Sequence, residues 1–95
     1  MAQKHVYLNA AFSDRWRASY ERLQLEAKNA ADRVVIALLK QKPTPGMRIK
    51  PIVPDKYYYE ARINDAHRLI FRTQDGVVHF VDIVTHDDIA KYSRR

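Results

Sequence analysis

At 95 residues, without a cysteine and with a formal charge of +6, the chain has room for one domain (residues 1–95) but no disulfide, thiolate metal site or cysteine nucleophile. No stretch nears the roughly 20 apolar residues that cross a bilayer, and no signal-like run opens the chain, so a soluble cytoplasmic protein away from membranes is expected. Residues 1–50 carry ten Lys/Arg against four Asp/Glu while residues 51–95 carry seven of each, and a basic half of this kind favours a polyanion such as nucleic acid, a ribosome or an acidic protein.

In chain order, Val6, Tyr7 and Leu8 form a short β run closed by Asn9. Ser13 is placed to cap a helix, with Asp14 set against the positive end of its dipole. Phe12, Trp16, Tyr20 and Leu23 recur at helical spacing and predict a buried stripe. A second helix is expected over residues 25–41, burying Ala27, Ala30, Ala31, Val34, Val35 and Leu38 and exposing Lys28, Asp32, Arg33 and Lys40. Pro43, Thr44, Pro45 and Gly46 stop it.

Four β runs follow: residues 47–52, with Pro51 marking an edge, then 57–63, 67–73 and 77–85. Gln74-Asp75-Gly76 suits a tight hairpin turn between the last two. A short polar helix closes the chain from about Asp87. The expected fold is α+β, in a β-α-α-β-β-β-α layout with three or four strands after the helices. Two helices then pack on one face of a small, mostly antiparallel sheet.

Alternation along the strands separates two faces. Leu69, Phe71, Ala61 and Ile63 point toward the helices. Arg68, Ile70, Arg72, Tyr58, Glu60, Arg62 and Asp82 point away, with His67 and His79 expected on the side opposite Arg68. Ionised groups in the middle of a sheet are costly unless paired or used. Arg68 offers a rigid fork of donors for a phosphate, or else an ion pair with Asp82 or Glu60. Arg62 and Arg72 flank it. Tyr58 and its neighbours Tyr57 and Tyr59 put one or two rings on the same face, where bases could stack, although β-propensity also explains tyrosine there. His86 stands at the sheet rim with a pKa suited to acid–base work, or is a surface residue beside a capping Asp87 or Asp88. Adjacent residues rarely all reach one ion, so His86-Asp87-Asp88 is not read as a metal site. Phosphate-binding glycine loops, dinucleotide fingerprints, nucleophile elbows and zinc spacings are absent, and no cofactor is expected.

The helix pair, the Pro43–Lys50 link, the Ala61-Arg62-Ile63…His67-Arg68-Leu69-Ile70-Phe71 hairpin and the Val81–Ile89 ending resemble the RelE/ParE toxin superfamily of bacterial type II toxin–antitoxin systems, the RelE- and YoeB-like toxins above all. The resemblance implies a ribosome-dependent, metal-independent mRNA endoribonuclease neutralised by a cognate antitoxin. Under it, Arg68 holds the scissile phosphate with help from Arg62. His86 and Tyr92 supply acid–base or stacking functions, Glu60 stands in as a base, and Arg48 and Lys50 hold RNA. RelE carries a lysine pair where this chain has Tyr59 and Ala61. YoeB-like toxins end in a His-Tyr pair where His86 is followed by Asp87. Two alternatives therefore stand beside the ribonuclease: a ParE-like, non-catalytic inhibitor of DNA gyrase, and an inactive interaction module of the same fold.

Overall fold

The computed structural model describes residues 7–53 and 57–93. Its elements run β1 (Asn9–Phe12), α1 (Asp14–Glu21), α2 (Leu25–Leu39), a 3-10 turn (Pro45–Met47), β2 (Lys50–Pro51), β3 (Tyr59–Arg62), β4 (His67–Gln74), β5 (Val77–Thr85) and α3 (Ile89–Ser93). The strands form one sheet in the order β1-β5-β4-β3-β2. Every pairing is antiparallel except β1 with β5. The α+β architecture expected from the sequence is present, and each of the four β runs after the helices contributes a strand, the first of them only two residues long.

The first strand lies later than the apolar run implies. Val6 falls outside the described residues, and Tyr7 and Leu8 are not in a strand. Asn9–Phe12 pairs instead with Val77–Phe80. The Leu8 N–H is taken by the Leu39 carbonyl at the end of α2 (2.9 Å), so tertiary hydrogen bonding overrides local propensity. Ser13 then does two jobs. Its Oγ accepts from the Trp16 N–H (3.0 Å), capping α1, and donates to the Val81 carbonyl (2.6 Å), which pins the helix start to β5.

Trp16, Ala31, Val34, Leu38, Leu69, Phe71, Val78 and Phe80 belong to one buried core, with Phe12 and Tyr20 packed against it. The Trp16 ring lies 5.3 Å from Phe80 and 5.7 Å from Phe12, as the helical spacing suggested. Helix α2 ends two residues earlier than expected, because Gln41 adopts a left-handed φ of 59° and the Lys42 N–H bonds back to the Ala37 carbonyl.

The 47–52 run is mostly not strand. Pro45–Met47 forms the 3-10 turn, Arg48 closes it in left-handed geometry (φ 46°), and only Lys50–Pro51 pairs, at the sheet edge. The 57–63 run shortens to Tyr59–Arg62. Asp75 (φ 53°) and Gly76 (φ 76°) form the hairpin turn, whose two positive φ values match the twist of the strands.

One irregularity sets the faces of β5. Ile70 pairs with Asp82 but Phe71 pairs with Phe80, so Val81 is an extra residue, a β-bulge. Alternation reverses there: Val78 and Phe80 enter the core before it, Ile83 after it. His79 therefore pairs with Arg72 and shares its face, contrary to the simple alternation that placed it opposite Arg68. His67 does lie on the face away from Arg68, in line with Leu69 and Phe71.

Candidate functional site

The sheet face away from the core carries the candidate residues in three cross-strand rows. Arg62 sits directly opposite Arg68, which pairs onward with Val84. The next row is Lys50, Glu60, Ile70 and Asp82. The third holds Arg72 beside His79, with Tyr58 leading into β3. Directly opposed side chains lie about 5 Å apart at Cβ, and alternate residues of a strand about 7 Å apart. The structure thus gathers Arg62, Arg68 and Glu60 into one patch and sets Arg72 and Tyr58 at its far end.

The face is less open than alternation suggested. Ile70 is fully buried in its centre, and Glu60 and Asp82 are each only 7% exposed. The cover comes in part from α3, whose Tyr92 returns over the sheet. Its OH donates to Asp82 Oδ2 (3.0 Å), and its ring meets Tyr58 edge-on at 6.1 Å.

Arg68 makes neither of the ion pairs considered from the sequence. Its Nη1 donates to the carbonyls of Asn64 (2.7 Å) and His67 (3.0 Å), and more distantly to that of Asp65 (3.3 Å). These carbonyls belong to the β3–β4 connection, which Asn64 also braces by accepting from the Ala66 and His67 N–H groups. Arg62 pairs with the exposed Asp65 of the same turn. Arg72 donates to Gln74 and lays its guanidinium over the Tyr57 ring, 5.1 Å from the centroid. Two of the three arginines are thus anchored to one turn, which holds their positions while leaving donor nitrogens over.

Asp82 is the residue that sequence reasoning undervalued. Its Oδ1 accepts from Ser19 Oγ of α1 (2.7 Å) and from the Ile83 N–H (2.8 Å), while Oδ2 accepts from Tyr92. Tyr92 is pushed above the ordinary tyrosine pKa, first by burial and further by Asp82, with Arg15 pulling the other way. Arg15 itself is raised by its hydrogen bond to Tyr92 and by the charges of Tyr92 and Asp82. The Tyr92 phenol thus donates to Asp82 and is held above the ordinary tyrosine range. No pattern in the sequence announces this cluster, because it joins residues 19, 82 and 92 through two helices.

Glu60 is the opposite case. Among the described residues no hydrogen bond or ion pair reaches its carboxylate. No described side-chain oxygen or nitrogen is both sealed from solvent and unpartnered. The Glu60 stem is therefore buried while its oxygens open onto the arginine-bearing surface.

The remaining candidates are peripheral. His86 follows β5, its N–H bonded to the Ala66 carbonyl (2.8 Å), with a largely exposed ring whose nearest acid is Asp87 at 3.9 Å. That backbone bond sets it beside the turn that holds Arg62 and Arg68. Asp88 does not face the arginines; it pairs with Lys91 at 3.3 Å. Arg48 and Lys50 are exposed near the β2 edge. Among the described residues no His, Asp and Glu group has the arrangement of a metal site. No described helix is long and apolar enough to cross a membrane.

No protein-family model matches the chain, and no curated protein does. Solved structures do. Escherichia coli YafQ superposes with a TM-score of 0.74 at 16% identity, covering 86% of this chain and 97% of its own. A toxin–antitoxin complex, RelBE2 of Mycobacterium tuberculosis, gives 0.67 at 19% identity over 85% of this chain and 100% of the matched one. A YoeB/ParE toxin from Agrobacterium tumefaciens gives 0.65 at 18% identity over 83% and 99%. The order of elements, the five-stranded sheet and these superpositions agree: the chain has the RelE/ParE toxin fold.

Proposed function

We propose that this chain is the toxin of a type II toxin–antitoxin pair and cleaves mRNA on the ribosome in the cytoplasm. The observation that carries the reading is the placement of Glu60, whose oxygens open to the surface with no hydrogen bond or ion pair among the described residues, beside the cross-strand Arg62–Arg68 pair. In the proposed reaction Glu60 takes the proton from a ribose 2′-hydroxyl. The 2′-oxygen bonds to the adjacent phosphorus and the bond from phosphorus to the 5′-oxygen breaks. The products are a 2′,3′-cyclic phosphate and a 5′-hydroxyl, the latter receiving its proton from His86. Arg62 and Arg68 oppose the charge that grows on the phosphoryl oxygens.

An antitoxin is the expected protein partner. The fold neighbours include a DinJ–YafQ toxin–antitoxin complex, and the basic first half of this chain suits an acidic, amphipathic segment. The commitment of Arg68 to its own turn favours a second reading, a gyrase inhibitor in which the arginines only shape a binding surface.

The two separate on expression in bacteria with mapping of mRNA 5′ ends. Codon-phased cuts by the wild type and none by Glu60→Gln support cleavage. Intact mRNA together with induction of the DNA-damage response overturns it in favour of the second reading.

A further inference from the structure

The Glu60–arginine patch accounts for one end of the sheet face; the other end is built differently. Tyr57 is 52% exposed, which leaves much of its ring open to a ligand. Its ring meets Tyr58 edge-on at 4.8 Å, and Tyr58 meets Tyr92 edge-on at 6.1 Å. The Arg72 guanidinium lies over Tyr57. The three rings thus form a ladder across the face, from the Asp82 cluster to the open rim. Each ring is braced by the next, so Tyr57 is held rather than free to rotate, and little conformational entropy is lost when something stacks on it.

Chemistry selects the occupant. An aromatic ring paired with a guanidinium presents a flat apolar surface beside a cation, the combination that takes a nucleobase and its phosphate. The surroundings have the matching sign: Arg72 stands on this side, and among the described residues no acid is paired with it. From Tyr58 to Arg62 the chain advances four strand positions, about 13 Å. Bases at this end and a phosphate at the arginine pair therefore belong to one short run of single strand.

We propose that Tyr57, braced by Tyr58 and overlaid by Arg72, is a base-stacking subsite for single-stranded RNA that flanks the Glu60–arginine patch. It rests on the ribonuclease reading and deepens it: the subsite binds a neighbour of the cleaved nucleotide and sets the direction in which the strand crosses the sheet.

Binding to a fluorescein-labelled 2′-O-methyl RNA, which cannot be cleaved through a 2′-hydroxyl, compared with an abasic strand of equal length, tests this. The wild type binds the base-bearing strand more tightly than the abasic one by about tenfold, the size of one stacked base. Tyr57→Ala abolishes that preference and leaves abasic binding unchanged, while Tyr57→Phe restores it. Arg72→Ala weakens both strands, because it also removes a phosphate contact. A preference that survives Tyr57→Ala, equal binding of both strands by the wild type, or no binding of either overturns the subsite. None of these results bears on whether Glu60→Gln stops the cuts seen in cells, so the two readings fail separately.

Discussion

Two carboxylates share one sheet face and one cross-strand row, at the same 7% exposure, in opposite surroundings. Asp82 is saturated: a hydroxyl from α1, a backbone N–H and a phenol from α3 meet its oxygens. Glu60 stands across from Lys50 and Ile70, and among the described residues no hydrogen bond or ion pair meets its oxygens. Equal burial of the two side chains therefore comes with unequal bonding of their oxygens. Asp82 ties two helices to the sheet. Glu60 makes no such tie among the described residues, and the proposed reaction uses it as the base.

Exchanging the amides breaks or sharpens this contrast. Glu60→Gln keeps the shape and removes the charge. Its cleavage activity falls by about 10²–10⁴-fold, the usual contribution of a general base, while its melting temperature stays level or rises. A drop in melting temperature alongside full activity would put Glu60 in the same class as Asp82. Asp82→Ala strands the Ser19 hydroxyl, the Tyr92 phenol and the Ile83 N–H together. A loss of about 3 kcal/mol is expected. Thermal unfolding reads this as a melting temperature lower by roughly 15 °C. Ser19→Ala removes one of the three donors and costs about 1–2 kcal/mol in urea unfolding.

The smallest effect is on pH. The folded Tyr92 pKa lies above the value of 10.0 for an unperturbed phenol, chiefly because of burial. Its contribution to stability is fully present below pH 10, where both states keep the proton. Above that the unfolded state ionises first, and stability falls until the pH passes the folded value. Tyr20, raised by its hydrogen bond to Asp32, adds a decline of the same sign. Unfolding free energies measured from pH 9 to 11 are therefore expected to fall, and to fall less steeply in Tyr92→Phe.

Much of this was legible in the sequence, and the exceptions share a cause. Ser13 as a cap, the Trp16 stripe, the Asp75-Gly76 turn and the shared face of Arg62, Arg68 and Arg72 follow from local rules that the structure obeys. The face of His79 was misread because one extra residue, Val81, reverses the alternation, and no residue type announces a bulge there. The strand at Asn9–Phe12 was missed because its pairing with β5 comes from the far end of the chain. Of the two readings of Arg68, phosphate fork or ion pair with Asp82 or Glu60, the ion pair is absent, because backbone carbonyls of the adjacent turn take its Nη1. Asp82 could be placed on the right face, but its partners come from α1 and α3, whose approach depends on tertiary packing.

The two-residue β2 edge carries one more consequence. A sheet edge offers unpaired N–H and C=O groups to any neighbouring chain, and long flat edges promote aggregation. Here the edge is one lysine and one proline, Lys50 and Pro51. Pro51 has no N–H to give, and Lys50 brings a charge to the rim. A partner chain cannot extend the sheet there with a full ladder, so the protein can display an arginine-rich, half-open sheet at high concentration without polymerising through that side.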